Sequence, residues 1–154
     1  MDELIEFSGT VLHQIDEKGR MRIPSRFMSP DMAPPKDKDE VVRVWVVAGS
    51  ENFFSVYSVP EMAEKRRALA EIPDSTNEIV QAKRKIYASM ALVDVDRQGR
   101  ILIPPTLRAY AKINKELISV GMNNHFEVWA KEEYEAQNMV TTFTEAQSTV
   151  KIFF

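Results

Sequence analysis

The sequence contains no cysteine, and this absence removes several kinds of chemistry at once. Disulfides, thiolate nucleophiles and cysteine-ligated zinc sites are all excluded. Only two histidines are present, His13 and His125, with no His-Glu-x-x-His motif and no plausible third ligand beside either one. No metal, cofactor or small-molecule substrate is therefore expected, and each histidine is more simply interpreted as a structural residue of a strand or turn.

Long apolar runs are also missing, so no segment is expected to span a membrane. The acidic N-terminal residues do not resemble a secretory signal, and a chain without cysteine suits a reducing compartment, so we expect a cytoplasmic protein. Of the 154 residues, 44% are hydrophobic and 28% are charged. This composition is typical of a globular chain that is long enough to bury a core.

The net charge of −3 argues mildly against nucleic acid as a partner. A local patch acts within a Debye length of about 8 Å, however, so the distribution of charge matters more than the total. Residues 16–28 form a locally basic segment, with four cations against two acids. The cations are Lys18, Arg20, Arg22 and Arg26, and the acids are Asp16 and Glu17.

The chain repeats itself. A shift of 80 residues superimposes residues 12–28 on residues 92–108, and a shift of 72 superimposes residues 47–57 on residues 119–129. The proline-rich segment 30–40 accounts for the difference between the two shifts. Two blocks in the same order indicate a duplicated unit. The identical residues of the first block are Leu12/Leu92, Asp16/Asp96, Gly19/Gly99, Arg20/Arg100, Ile23/Ile103 and Pro24/Pro104.

Each unit is predicted to begin with a β-hairpin. In the first unit, residues 10–15 form a strand, residues 16–19 a tight turn, and residues 20–23 a returning strand, with Gly19 in the left-handed position of the turn. Pro24 is expected to open a short helix. Two further strands complete the unit, and the second unit repeats the pattern.

Helices are predicted between and after the units. Ser58 with Glu61, and Ser75 with Glu78, form candidate capping boxes for two connecting helices. A last helix is predicted over residues 131–140, followed by a tail without a clear period that ends in Ile152, Phe153 and Phe154. The predicted organisation is a first unit over 8–61, connecting helices over 62–88, a second unit over 89–133, and a C-terminal helix and tail over 134–154.

The Asp-x-x-Gly-Arg turn is the candidate functional feature. Asp16 can accept hydrogen bonds from the turn, and its pairing with Arg20 would hold the guanidinium in one orientation while leaving donors free. A single copy would be interpreted as a hairpin closed by a surface ion pair, but two matched copies favour a presented surface. Strand alternation points Arg22 outward beside Arg20. The residue equivalent to Arg22 is Leu102, which we expect to be covered by another strand, a helix or another subunit.

These residues resemble the MraZ family, bacterial regulators of the division and cell-wall gene cluster that are built from tandem AbrB-type domains. The resemblance extends from about Phe7 to Tyr134. It is carried by Asp16–Arg20 with Ile23-Pro24, by Asp96–Arg100 with Ile103-Pro104 and Leu107-Arg108, and by residues 120–129.

The resemblance implies an α+β fold of tandem swapped-hairpin β-barrel units joined by two helices. It also implies a ring-shaped homo-oligomer on the nucleoid that binds repeated boxes in double-stranded promoter DNA. Met28 departs from the family pattern, which has an arginine after Phe27, and Arg26 is a candidate replacement. The expected DNA-binding residues are Lys18, Arg20, Arg22, Gln98 and Arg100. The expected structural motif residues are Asp16, Gly19, Pro24, Asp96, Gly99, Pro104 and Arg108.

Three other functions compete with this interpretation. An enzyme is disfavoured because no catalytic motif is present, and each motif aspartate lies beside an arginine that keeps it ionised. An antitoxin-like module of the AbrB fold would normally join one unit to a disordered arm. A purely structural ring remains open, since the aromatic and methionine residues suit subunit contacts. The first turn is predicted to be the more basic of the two, and therefore the more important for DNA binding.

Overall fold

A computed structural model of the protein describes residues 6–152. Strands and helices alternate along these residues, and two short 3₁₀ helices, Ser25–Phe27 and Pro30–Met32, follow the second strand. The strands are β1 (Thr10–Gln14), β2 (Arg20–Arg22), β3 (Arg43–Ala48), β4 (Phe53–Ser58), β5 (Ala91–Asp94), β6 (Arg100–Leu102), β7 (Glu116–Gly121) and β8 (Phe126–Ala130). The helices are α1 (Val59–Glu71), α2 (Asn77–Ser89), α3 (Pro105–Tyr110), α4 (Lys131–Val140) and α5 (Phe143–Val150).

The strands form a six-stranded antiparallel sheet in the order β1-β7-β8-β4-β3-β5, and a separate ribbon of β2 and β6. The first unit contributes β1 to β4, and the second contributes β5 to β8. Exchanging the two units reverses the order of the sheet and maps the ribbon onto itself. The duplication therefore gives an approximate twofold arrangement, and the predicted α+β class with strands swapped between tandem units is confirmed.

The predicted pairing of β1 with β2 is wrong. β1 pairs with β7, with Thr10 opposite Val120, whereas β2 pairs with β6. The turn between β1 and β2 does form, but beyond it each strand continues beside a strand of the other unit. Alternation along one strand determines which side chains are buried, but it does not determine which strand pairs with it. A three-residue β2 also gives a two-stranded hairpin little stability by itself.

A single core lies between the sheet and the inner face of the ribbon. Met21 and Ile101 are directly opposite each other in the ribbon, and neither is more than 1% exposed. Phe27, which follows β2, stacks on Phe126 of the sheet with ring centroids 5.4 Å apart. Because the inner face is buried in this way, alternation turns the other ribbon side chains outward.

The predicted helix caps are confirmed at one position and corrected at another. Ser58 accepts a hydrogen bond from the Glu61 backbone N–H at 3.3 Å and caps α1 as expected. For α2 the cap is Thr76, whose hydroxyl accepts the Ile79 N–H at 3.2 Å, and Ser75 lies one residue earlier. Both serine and threonine are good N-caps, so residue preference alone does not determine which of these two adjacent residues caps the helix.

Pro24 and the tail also differ from expectation. Pro24 precedes its helix instead of lying in the first turn, and that helix is the 3₁₀ segment Ser25–Phe27. In the second unit, Pro104 precedes α3. α4 has the predicted bounds. The tail forms α5, capped reciprocally by Thr142 and Glu145, a capping box that the sequence contained and that periodicity did not reveal. Ile152 is 75% exposed, and Phe153 and Phe154 lie outside the described residues.

Candidate nucleic-acid interface

The first turn, residues 16–20, holds Arg20 through Asp16. One carboxylate oxygen of Asp16 accepts the backbone N–H groups of Lys18 and Arg20, both at 2.9 Å. The other oxygen accepts the Arg20 Nε–H at 2.8 Å. Gly19 has φ +83°, the left-handed conformation that the turn requires. The predicted lock is confirmed: Nε of Arg20 donates to Asp16. Within residues 6–152, the two terminal amino groups of Arg20 have no hydrogen-bond acceptor and are available as donors.

The second turn, residues 96–100, repeats this geometry. Asp96 accepts the backbone N–H groups of Gln98 and Arg100 at 2.9 Å and the Arg100 Nε–H at 2.8 Å. Gly99 has φ +77°. The turns also approach each other, since Nη1 of Arg100 lies 4.0 Å from Oδ2 of Asp16. The repeated motif therefore produces two copies of one local structure on adjacent parts of the surface.

Both aspartates are held in the ionised form. The backbone hydrogen bond from Arg20 is the main cause that lowers the pKa of Asp16, and the Arg20 side chain adds to it. At Asp96, desolvation alone would raise the pKa, but the hydrogen bonds from Arg100 and Gln98 outweigh it, so the pKa is lowered. Each turn thus keeps a fixed ion pair at neutral pH.

The outer face of the β2–β6 ribbon brings the arginines of both turns together. Arg20 lies opposite Leu102, and Arg22 lies opposite Arg100. Residues directly opposite on antiparallel strands share a face, so these four side chains form one surface. Leu102 is 55% exposed. Within residues 6–152, Leu102 is not covered by another strand or helix, and its cover by another subunit stays a prediction.

Arg22 lies at the second turn, although it belongs to the first unit. Its Nη1 donates a hydrogen bond to the backbone carbonyl of Gln98 at 2.5 Å. Arg22 therefore shares the outer face with Arg20 and also contacts the second turn, a contact that the sequence did not predict. This contact follows from the swapped ribbon, in which each β2 residue lies beside the other unit.

Each turn glycine faces a side chain of the other unit. Gly19 faces Arg108, which follows buried Leu107, and Gly99 faces Met28, which follows buried Phe27. A Cβ atom built on Gly19 would lie 3.4 Å from Nη1 of Arg108, and one built on Gly99 would lie 3.6 Å from Cε of Met28. Arg26 lies elsewhere, with its guanidinium against Gly9 and Nη1 3.5 Å from the Thr10 carbonyl. Arg26 therefore does not replace the arginine that is missing at position 28.

The two locked arginines are covered to similar degrees. The side chain of Arg20 is 29% exposed, and that of Arg100 is 23% exposed. Lys18 and Gln98, in the middle of their turns, are both exposed. The predicted contrast between a bare first turn and a covered second turn is thus small.

Comparison with known proteins identifies the family. A family model described as "MraZ protein, putative antitoxin-like" matches residues 86–150. The chain is 35% identical over 132 residues to "Transcriptional regulator MraZ" of Desulforamulus reducens, an alignment that covers 86% of this chain and 87% of the relative. The protein of the same name from Moorella thermoacetica is 32% identical over 130 residues, and the alignment covers 84% of each chain. The chain belongs to the MraZ family.

MraZ membership agrees with the resemblance carried by the two Asp-x-x-Gly-Arg turns. A further relative, from Caldanaerobacter subterraneus subsp. tengcongensis, is 34% identical over 134 residues, and the alignment covers 86% of this chain. These relatives are named as regulators and not as enzymes. The alignments span both repeated units, so the family resemblance is not confined to one of them.

The histidines of this MraZ-family chain lie in structural contacts. His13 in β1 shares a hydrogen bond of 2.7 Å with Ser119 of β7. His125 stacks on Tyr57 with ring centroids 4.3 Å apart. Desolvation lowers the pKa of each histidine to about 4, with Lys65 adding to the effect at His125. Among residues 6–152, no group of three histidine or acidic side chains is arranged to hold a metal ion.

No helix in the part of the chain that the structure describes combines the length and the apolar character needed to cross a membrane.

Proposed function

We propose that this protein is a sequence-specific DNA-binding regulator of transcription that recognises repeated boxes in promoter DNA. The proposed targets are the genes of the division and cell-wall cluster, and the proposed location is the nucleoid in the cytoplasm. MraZ membership and the printed names of the relatives support a regulatory role. The geometry of the two turns supports the DNA-binding residues proposed below.

The outer face of the β2–β6 ribbon is the observation that carries the proposal. A two-stranded ribbon can enter the major groove, and an arginine there can form two hydrogen bonds to a guanine edge. Arg20 and Arg100 suit this task because their aspartates occupy Nε and fix the guanidinium plane. The proposed DNA-binding residues are Lys18, Arg20, Arg22, Gln98 and Arg100.

An acidic chain needs several such contacts at once. The net charge of −3 gives little general attraction to DNA, so a single ribbon is expected to bind weakly. Linked subunits that each bind one box gain affinity through effective concentration. Strong binding should therefore depend on several boxes at the correct spacing.

A salt titration tests DNA binding directly. The labelled probe is the duplex upstream of the protein's own coding sequence, with a random duplex of equal length as the control. We expect preferential binding of the upstream duplex, with log affinity falling linearly against log salt at a slope of about −0.9 for each phosphate neutralised. A duplex cut down to one box should bind far more weakly. Equal affinity for one box and for several would contradict the multivalent proposal.

The proposed assembly is a closed homo-oligomer. Apolar side chains at the C-terminal helices support it: Met139 is 86% exposed and Phe143 is 91% exposed. Apolar surface of this kind marks a protein contact, and head-to-tail contacts between copies either close into a ring or grow without limit. Light scattering should give one discrete mass above the monomer. A clean monomer at micromolar concentration would refute the assembly.

A further inference from the structure

A groove between α2 and α3 is open, whereas the equivalent place in the other half of the molecule is filled. This α2–α3 groove encloses about 320 Å³ and is mostly apolar. An apolar cavity of about 150 Å³ is enough to bind benzene, so the groove can hold an aromatic ring. Its walls include Ala48, Gly49, Ile86, Ala88, Leu107 and Tyr110.

The filled counterpart of the groove is occupied by Phe7. Under the 80-residue shift, Phe27 is equivalent to Leu107 of the groove. The ring of Phe7 packs against the ring of Phe27 with centroids 5.8 Å apart, and the Phe7 backbone pairs with Asn123 in the turn between β7 and β8. Phe7 is only 7% exposed. In this half of the molecule, the site accepts an aromatic side chain.

Hydrogen bonds show that the two places correspond. In the filled half, the Gly121 N–H donates to the Gly9 carbonyl at 2.9 Å. In the open half, the Ala48 N–H donates to the Ser89 hydroxyl at 3.2 Å. Gly9 and Ser89 are equivalent under the 80-residue shift. The segments that precede β1 and β5 therefore meet the sheet at the same point.

The open half does not fill its groove because the equivalent segment is helical. The repeat places Tyr87 where the other half has Phe7. Tyr87 belongs to α2, however, and is 39% exposed. The duplication therefore produces this site for an aromatic side chain twice, and the chain itself fills one of the two copies.

The side chain that suits the open groove is Phe143. It is 91% exposed at the start of α5, and among residues 6–152 it is the most exposed aromatic side chain. It does not contribute to the walls of its own groove. Its burial in such a groove therefore requires a contact between two copies of the chain.

The charges around the groove and around Phe143 are complementary. α2 carries three cations against one acid, and the exposed Lys85 lies at the groove. Residues 131–150, which include α4 and α5, carry four acids against one lysine. Surfaces of opposite potential attract each other and orient their association.

We infer that the α2–α3 groove binds Phe143 of a second copy of this chain, with the acidic C-terminal helices of that copy beside the basic α2. This inference rests on the proposed closed homo-oligomer and names the two surfaces that meet in it. The second copy supplies to the groove what Phe7 supplies to the equivalent site within the chain.

The first experiment removes each surface separately and measures mass by light scattering. Phe143→Ser removes the exposed ring, and Ala88→Trp fills the groove from α2. Each variant should dissociate at concentrations where the wild type is assembled, because losing the burial of one aromatic ring raises the dissociation constant of a contact about 10- to 100-fold. Val41→Ser removes an apolar side chain that is 64% exposed elsewhere, so this matched control should keep the wild-type mass. Melting temperatures of all variants should stay close to wild type.

Mixing the two variants tests whether the two surfaces bind each other. Phe143→Ser chains keep an open groove, and Ala88→Trp chains keep the aromatic ring. One intact contact can therefore form between unlike chains and none between like chains. Native mass spectrometry should show the unlike pair forming at least about tenfold more tightly than either like pair. Equal formation of like and unlike pairs overturns the inference.

The remaining outcomes separate the inference from the proposed assembly. If the wild type is a monomer at micromolar concentration, the proposed assembly fails and the inference falls with it. If the wild type is assembled and Phe143→Ser keeps the wild-type mass, the assembly stands and the inference is overturned. Dissociation by Phe143→Ser but not by Ala88→Trp also overturns it, because Phe143 then binds another surface. Dissociation on replacing Phe153 and Phe154 by serine, with no effect of Phe143→Ser, overturns it in favour of those two residues.

Discussion

The two turns share one backbone geometry and differ in what surrounds them. Each has an aspartate bonded to two backbone N–H groups and to one arginine, at matching distances. Their neighbours come from the opposite unit, so the sequence next to a turn does not describe its surroundings. The first turn has Arg108 and Leu102 beside it, and the second has Met28 and Arg22. The basic side chains are unevenly distributed along the sequence, but in the folded protein the two turns have nearly equal basic surroundings.

The largest expected effect comes from removing the locked arginines one at a time. Arg20→Ala and Arg100→Ala should each lower affinity for the upstream duplex by about 100-fold or more, because about 1–3 kcal/mol of discrimination disappears at every bound repeat. The sequence alone favoured a much larger effect at Arg20. The similar exposure of the two side chains, 29% and 23%, predicts comparable decreases.

Binding assays on both variants, with melting temperature and mass measured in parallel, check this prediction. Both properties should stay close to wild type, since a partly exposed ion pair at the protein surface adds little stability. An Arg100→Ala variant that binds normally while Arg20→Ala does not would favour the asymmetry that the sequence predicts. Normal binding by both variants would leave the turns with only a structural role.

Much of this fold could be predicted from sequence, because the duplication and the alternation along strands are local patterns. The turns, the positions of most strands, and α4 follow directly from them. The pairing of strands could not be predicted in this way, since a hairpin and a swapped hairpin bury the same residues. The contact of Arg22 with the second turn depends on that pairing and was therefore not predicted.

The sequence predicted which residues form the candidate site but not how they are arranged in space. Asp16, Arg20 and their equivalents were identified because their contacts are made within five residues of chain. The place of Arg108 at Gly19 depends on a contact between units and has no local signal. A comparison of positions 28 and 108 in a swapped topology would have revealed it, since equivalent residues must then face each other's turns.

A smaller effect is expected from the turn glycines. Gly19→Ala and Gly99→Ala both force a side chain into the left-handed region, which costs about 1–2 kcal/mol of folding stability. The nearest atom to the new Cβ is Nη1 of Arg108 at Gly19 and Cγ of Pro34 at Gly99, each at 3.4 Å, which is ordinary van der Waals contact. The two variants should therefore lose similar amounts of folding stability, and each should lose less DNA affinity than Arg20→Ala or Arg100→Ala because the arginines are retained.

Urea unfolding and duplex binding of the two alanine variants measure these effects side by side. The expected result is a similar decrease in the free energy of unfolding for both variants. A much larger decrease in one of them would mean that the two turns differ in how well they accept a side chain at this position.

The smallest effect concerns acid stability and compares His13 with its equivalent, Val93. Burial lowers the pKa of folded His13 to about 4, so the unfolded chain takes up a proton near pH 6.5 that the folded chain resists. His13 should thus contribute a loss of stability as the pH falls from about 6.5 towards 4, and none above that range.

The matched test is the double variant His13→Val with Ser119→Val, which copies the equivalent residues Val93 and Val47. Both positions are changed because His13 shares a hydrogen bond with buried Ser119, and replacing His13 alone would leave an unpaired buried hydroxyl. The melting temperatures at pH 7 and pH 5 should differ less in this variant than in the wild type. Part of the difference should remain, because His125 also has its pKa lowered to about 4. If the double variant loses as much stability on acidification as the wild type, His13 is not the group that titrates, and the difference between the two units at this position has no consequence for acid stability.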